Sequence, residues 1–310
     1  MLSTSKEASV NFNVDPYDIL VKSTQDLAKD PIPAHSQRLA LGSQVFQSMV
    51  EVGSLTPAQQ LDALDSANLP IVEVDERYEL LALLVNLLES PPELPPPTAN
   101  NQTPSSAIPL DNDPPGSVLP WPLMVTLLDL ADKYDLSESI LSGLHAHIRS
   151  HATSHPLQVY ALASRLELRE IASLASSFLL YPPMHEHPLS DIKALPSAIS
   201  YHLLLVLQIH RLEKLRNIVA TEPIFPHEYG ACAKHGTSPA KLAWETRRTL
   251  VLTNLHAGSS VADMMQHDDE VRKELKNCID CCLGWERAVE MIRYKAGKVP
   301  REISQLPNDI

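Results

Sequence analysis

The sequence predicts a mostly helical α+β protein, in which a small α/β domain (a short sheet capped by helices) is followed by an all-α C-terminal domain. Glycine is scarce, at 9 of 310 residues, and proline is frequent, at 26. The two runs with strand character lie before residue 75, and apolar residues at helical spacing fill the stretches between prolines after residue 120. This composition favours helices with proline-marked joints over an all-β fold.

The first predicted elements are a strand and a helix. Residues 1–14 are polar, and we expect them to be disordered. Residues 17–22 alternate in the manner of a short buried strand. Residues 34–52 follow helical spacing, with an apolar face formed by Leu39, Leu41, Val45, Phe46 and Met49.

A second strand and a core helix precede an interruption of the pattern. Residues 69–74 are β-branched and predict a strand, whereas residues 80–88 predict an apolar helix too short to span a bilayer. Residues 91–120 hold ten prolines and no lysine or arginine. Such a segment buries too little apolar surface to offset its ordering entropy, so we predict a disordered, proline-rich insertion.

Helical periodicity resumes after the insertion and continues through the C-terminal half. The predicted helices include residues 140–148, 159–168, 171–180, 201–219, 244–255 and 271–293. We therefore divide the chain into an α/β domain at 15–150, which contains the insertion, a helical extension at 151–220 and a helical tail at 221–310.

Charge and hydropathy exclude several functional classes. The formal net charge of −13, without any run of lysine or arginine, argues against a nucleic-acid partner. No apolar stretch reaches the length of a membrane span, and the N-terminus has no hydrophobic signal core. We expect an intracellular protein, cytoplasmic or nuclear, that does not associate with membranes.

The sharpest chemical signal is two pairs of potential metal ligands in the tail. Cys232 and His235 form one pair with two residues between them, and Cys278 and Cys281 form the other, with Cys282 adjacent. Two such pairs can supply the four ligands of a structural zinc ion, which would hold the tail against the helical domain. The alternative is that these are free thiols in a helical core.

The remaining polar clusters give no sign of catalysis. His145, His147, His151 and His155 lie near the end of a predicted helix, where we expect solvated histidines. The sequence contains no nucleophile elbow, no phosphate-binding loop and no dinucleotide fingerprint. We therefore predict a protein that is not an enzyme, has no catalytic residues and has no small-molecule substrate.

Several stretches, in order, resemble a BTB/POZ domain. They are Asp18-Ile19-Leu20-Val21, Ala34-His35, Ser43-Gln44-Val45-Phe46, the strand and helix at 69–88, and Leu127-Leu128-Asp129-Leu130-Ala131-Asp132-Lys133-Tyr134-Asp135-Leu136. The match covers residues 15 to about 150, and the following helices are similar to the extension found in BTB proteins of higher fungi. One departure concerns Asp18, because Ser36 stands where the family has a basic residue.

The resemblance implies an interaction module. Its expected partners are proteins: a second copy in a homodimer, or a complex such as a cullin-type ubiquitin ligase. The interaction residues carried over from the family are Asp18, His35, Val45, Phe46 and Met49. The resulting hypothesis is an adaptor or scaffold; the alternatives are a transcription-associated scaffold without direct DNA contact and an enzyme of unrecognised type.

Overall fold

The computed structural model describes residues 17–54, 69–95, 118–225, 232–236, 238–266, 268–275 and 278–307. The chain divides into two compact units, residues 1–150 and residues 151–310. The predicted disordered segment 1–14 and most of the proline-rich insertion lie outside the described residues.

The first unit contains a three-stranded sheet within the described part of the chain. Strand β1 (Ile19–Ser23) lies in the centre, with β2 (Ile32–Ala34) antiparallel on one side and β3 (Ile71–Val74) parallel on the other. Ile19 faces Ala34 across the antiparallel pair, and Leu20 faces Ile71 across the parallel pair. The prediction of an α+β fold is confirmed.

The sequence pattern does not predict strand β2. It is three residues long and contains Pro33, which cannot donate a ladder hydrogen bond. A proline of this kind is tolerated because β2 is an edge strand, paired only with β1 among the described strands. The proline gives this stretch the pattern of a turn, although its backbone is extended.

The described part of the first unit also contains five helices. They are α1 (Ser36–Gly42), α2 (Gln44–Ser54), α3 (Tyr78–Glu89), α4 (Trp121–Lys133) and α5 (Glu138–Ser150). The most deeply buried side chains of this unit are large and apolar, and they include Leu39, Phe46, Leu81, Leu84, Met124, Leu127, Leu144 and Ile148. The predicted core helix at 80–88 is confirmed as part of α3.

The prediction of one continuous helix over 34–52 is wrong. Ser43 breaks it, because this buried residue is extended and forms a bridge with Leu136. Its hydroxyl donates to the carbonyl oxygen of Tyr134 at 2.6 Å and accepts from the N–H of Phe46 at 3.2 Å. Leu41, which lies on α1 and is expected on the apolar face, is 73% exposed.

The second unit is helical. Its helices are α6 (Pro156–Arg165), α7 (Arg169–Ser176), α8 (Leu189–Ile192), α9 (Ala198–Thr221), α10 (Ser238–Thr253), α11 (Val261–Met264), α12 (Asp269–Glu274) and α13 (Ile279–Ala296). Two 3-10 turns, Met184–Glu186 and Ile303–Gln305, complete the described elements.

A pair of tryptophans lies in the core of the second unit. Trp244 of α10 and Trp285 of α13 meet edge to face, with ring centroids 4.8 Å apart, and both are buried. Leu215 and Val219 of α9 belong to the same apolar cluster. The stretches 151–220 and 221–310, which the sequence pattern separates, thus lie in one unit with α9 packed into the core of the tail.

The predicted helix at 271–293 is interrupted. Helix α12 follows Asp268, whose carboxylate caps the helix by accepting the N–H of Val271 at 2.9 Å, and it ends at Glu274. Helix α13 starts afresh, with Cys278 as its N-cap residue in an extended conformation. The restart places Cys278 at a helix N-terminus instead of in a helix interior.

Candidate metal centre

The first half of the centre is a tight turn between α9 and α10. Cys232 and Gly236 pair across it, and the N–H of Gly236 donates to the carbonyl oxygen of Cys232 at 2.8 Å. Gly236 has a φ of +61°, a left-handed conformation that favours glycine. The turn brings the side chains of Cys232 and His235 to the same side, with Sγ and Nδ1 3.6 Å apart.

The second half is the first turn of α13. Cys278 is the N-cap residue, and its carbonyl oxygen accepts the N–H of Cys282 at 3.0 Å. Cys281 lies one turn further along. Because residues three apart share a helix face, both thiols are directed to one point. Cys281 is buried, whereas Cys278 is half-buried.

The two halves meet. The sulfurs of Cys232 and Cys278, 46 residues apart in sequence, are separated by 3.7 Å, and the Cys281 sulfur lies 3.7 Å from Nδ1 of His235. All four ligand atoms lie within 4.8 Å of one another. In the described part of the chain, these residues form a group that can hold a metal ion.

The distances fit a tetrahedral site. Zn–S bonds of about 2.3 Å and Zn–N bonds of about 2.0–2.1 Å at the tetrahedral angle separate two sulfurs by about 3.8 Å, and a sulfur from a nitrogen by about 3.6 Å. The three contacts above, at 3.6–3.7 Å, agree with these values. The donor set of three thiols and one imidazole also suits zinc.

The two cysteines of α13 have different acidities. The backbone N–H of Cys281 lowers the pKa of Cys278 to about 7, and the Cys232 thiol and the N–H of Asp280 act in the same direction. Burial, together with the neighbouring thiols of Cys278 and Cys232, raises the pKa of Cys281 to about 12. Metal ligands are thiolates, so a bound cation would remove the penalty of ionising the buried sulfur.

The centre belongs to the core of the second unit. Cys232 and Cys281 are in the same buried cluster as Trp244 and Trp285. Cys282, next to Cys281, packs against this cluster and is not part of the four-residue group, and burial raises its pKa. The spacing within each pair predicted this ligand set; the sequence contains no signal for the meeting of the two pairs.

The expected interaction residues Asp18 and His35 lie near the sheet. Asp18 is exposed, and its carboxylate accepts hydrogen bonds from the N–H of Ser36 at 2.6 Å and from the Ser36 hydroxyl. His35 is buried, and its Nδ1 lies 2.7 Å from the carboxylate of Glu89. Asp18 thus has a hydrogen-bonding partner in Ser36.

The apolar members of the expected interaction set lie on α2. Phe46 has no exposed surface, and its ring stacks on that of Tyr134 with centroids 5.9 Å apart. It therefore supports the core and offers no contact surface. Val45 and Met49 are half-buried.

The expectation that all four clustered histidines are solvated is wrong for His147. This residue of α5 is 2% exposed. Its Nδ1 accepts the N–H of Leu119 at 3.3 Å, and its Nε2 lies 2.9 Å from the carbonyl oxygen of Glu93. The missed signal is its helical phase: His147 follows Leu144 by three residues, on the apolar face.

None of the described helices is long and apolar enough to cross a membrane. No family model, curated protein or solved structure matches the chain.

Proposed function

We propose that the chain is a non-enzymatic protein–protein interaction scaffold whose second unit is stabilised by a structural zinc ion. The observation that supports the zinc ion best is that three distances among the four ligand atoms, at 3.6–3.7 Å, match those of a tetrahedral Cys₃His site. Four protein ligands leave no open coordination position. The ion would therefore have a structural role and would not bind a substrate.

The zinc ion would connect two distant parts of the second unit. The turn at 232–236 and the start of α13 are separated in sequence by α10, α11 and α12. A metal bonded to both would fix the loop between them and support the packing of Trp244 on Trp285. Because a preformed site does not exist in the unfolded chain, the binding free energy adds to the free energy of unfolding.

Metal analysis of the full chain tests the zinc proposal. After purification without chelator, we expect about one zinc per chain, as a single tetrahedral site requires. Cys281→Ser should lose the metal and lower the melting temperature, as should adding a strong chelator to the wild type. Cys282→Ser is the matched control, because it removes the adjacent thiol, and it should keep both metal and stability. The proposal would be contradicted if the wild type purified without metal and its melting temperature did not change when zinc was added.

The scaffold part of the proposal concerns the first unit, which we propose to be a BTB-like domain. Its support is that stretches carrying the resemblance contact one another. Ser43 and Phe46 belong to one such stretch, and Tyr134 and Leu136 to another; they are joined by a bridge, a hydrogen bond and a ring stack. The sheet with helices around it is of the kind that presents apolar helix faces to a partner.

An exposed leucine on α1 provides a place to test for partners. Leu41 is 73% exposed on α1. A second copy of the chain and a cullin-type ubiquitin ligase are the proposed partners, and a transcription-associated scaffold is the alternative role. The test combines light scattering of the full chain at micromolar concentration with binding to a purified cullin.

We expect a dimer or a cullin complex that Leu41→Asp weakens. Leu189→Asp, at a leucine 68% exposed in the second unit, is the control and should leave binding unchanged. A chain that remains monomeric and binds no cullin would contradict the proposed partners, whatever its zinc content.

A further inference from the structure

We infer that Cys232 and Cys278 form a hydroperoxide-sensitive pair, whose oxidation to a disulfide expels the zinc ion. The inference rests on the proposed zinc site, because it concerns the regulation of that site. Its basis is the geometry of the two sulfurs and their unequal access to solvent.

The two sulfurs are already in contact. Their separation is 3.7 Å, which is van der Waals contact between two sulfurs. Cys281, the third thiol, has its sulfur 3.7 Å from Nδ1 of His235 and within 4.8 Å of the other two sulfurs. A disulfide between Cys232 and Cys278 thus needs the two sulfurs to approach from contact to bonding distance, about 2.05 Å.

Access to solvent determines which sulfur reacts first. Cys278 is half-buried at the N-terminus of α13, whereas Cys232 is 2% exposed and Cys281 is 2% exposed. A small oxidant such as a hydroperoxide therefore reaches Cys278 before the others. The buried neighbour, Cys232, is then placed to resolve the oxidised sulfur.

The chemistry balances with one peroxide per pair. The Cys278 thiolate attacks a peroxide oxygen, the O–O bond breaks, and hydroxide leaves, so that Cys278 becomes a sulfenic acid. The Cys232 thiolate then attacks the Cys278 sulfur, the S–O bond breaks, and a second hydroxide leaves as the S–S bond forms. Two thiolates lose two electrons in total, and hydrogen peroxide gains them.

Formation of this disulfide would release the metal and still keep the turn at 232–236 linked to the start of α13. The zinc ion would retain only His235 and Cys281, half of its ligands, and would dissociate. The disulfide joins the same two segments that the metal joined, because Cys232 lies in the turn and Cys278 starts α13. Oxidation would thus exchange a metal link for a covalent one.

The experiment treats the zinc-loaded full chain with increasing hydrogen peroxide. Released zinc is measured with a chromogenic chelator, and disulfides are mapped by mass spectrometry of peptides prepared without reductant. We expect one zinc released per disulfide formed, a crosslink between the peptides that contain Cys232 and Cys278, and zinc rebinding after treatment with dithiothreitol. Cys282→Ser should behave like the wild type.

Two results would overturn the inference. One is retention of zinc at a peroxide excess that oxidises exposed methionines, and the other is a disulfide between Cys278 and Cys281. A parallel sample of reduced, metal-free protein separates this inference from the zinc proposal. If the chain never binds zinc, the zinc proposal fails, and the metal-free sample still shows whether Cys232 and Cys278 form the disulfide.

Discussion

The carboxylate of Asp18 accepts hydrogen bonds from both the backbone N–H and the hydroxyl of Ser36. The two contacts connect the residue before β1 to the first residue of α1. The residue types alone suggest that Asp18 lacks a charged partner. The structure shows that a short polar side chain, aided by the backbone, satisfies the carboxylate instead.

Ser36→Ala tests this connection. The substitution removes the hydroxyl bond but keeps the N–H bond, so we expect the free energy of unfolding to fall by about 0.5–1.5 kcal/mol. Chemical denaturation measures the change. Ser142→Ala on α5, whose hydroxyl bonds only to a nearby exposed carbonyl, is the control and should change stability by less than about 0.5 kcal/mol. Equal effects of the two changes would show that the Asp18 contact adds nothing.

Phe46 and Leu41 should respond differently to truncation. Phe46→Ala removes a fully buried ring and leaves a cavity beside Tyr134, so we expect a loss of about 3–5 kcal/mol. Leu41→Ala removes an exposed side chain and should change stability by less than about 0.5 kcal/mol. Thermal unfolding, monitored by circular dichroism, distinguishes the two variants. A small effect at Phe46 would contradict its assignment to the core.

Arg211 should be essential to the second unit. It is 5% exposed, and its guanidinium donates to the carbonyl oxygens of Ala257 at 2.7 Å and of Val299 and Pro300 at 3.1 Å. Burial lowers its pKa to about 10, so it remains charged at neutral pH. Arg211→Met leaves these carbonyls without their donor.

We expect the Arg211→Met variant to lose about 3 kcal/mol or more of stability. Hydrogen exchange near residues 299–305 should increase, because the chain after α13 loses its hydrogen bonds to Arg211 of α9. Arg216→Met, at an exposed arginine of the same helix, is the control. An Arg211→Met variant as stable as this control would show that water replaces the guanidinium without cost.

His256 predicts a dependence of stability on pH. Burial lowers its pKa from 6.5, and its Nδ1 is buried without a hydrogen-bond partner among the described residues, next to the ring of Tyr181. Just below pH 6.5, His256 is therefore protonated in more of the unfolded molecules than of the folded molecules. Stability should fall as the pH drops through 6.5, and the fall should stop below the lowered pKa of the folded state.

His256→Phe keeps a ring against Tyr181 and removes this titration. Unfolding free energies between pH 7.5 and about pH 5 should therefore decrease less in the variant than in the wild type. Part of the decrease should remain, because burial also lowers the pKa values of His145 and His155. His202→Phe, at an exposed histidine, is the control for the replacement of a histidine by phenylalanine.

Local patterns predict the elements, whereas distant contacts set their ends. Alternation indicates β1, β-branched residues indicate β3, and helical spacing indicates α3, α9 and most of α13. The break at Ser43 depends on a hydrogen bond to Tyr134, 91 residues away, which no local pattern contains. Strand β2 is missed for a different reason. It contains a proline, which usually indicates a turn but is tolerated in an edge strand.

In the candidate metal centre, too, local patterns indicate the parts and distant contacts bring them together. The spacing of Cys232 to His235 and of Cys278 to Cys281 is a local pattern, and it is sufficient to indicate two ligand pairs. Their meeting depends on packing between α9, α10 and α13, and on the restart of the chain at Cys278. A continuous helix over 271–293 would have placed Cys278 in a helix interior, without the free N–H groups of a helix start.

The imidazole of His147 has a consequence for how the chain can change over evolution. One buried ring bonds to the backbone at Glu93 and at Leu119, which lie near the two ends of the proline-rich segment 91–120. Both ends of that interval are thus held at a single point of α5. Residues can be added to or removed from the middle of the interval at a small entropic cost, since loop closure depends only logarithmically on length. This position can therefore accept new sequence, such as a binding motif or a modification site, while the rest of the unit keeps its fold.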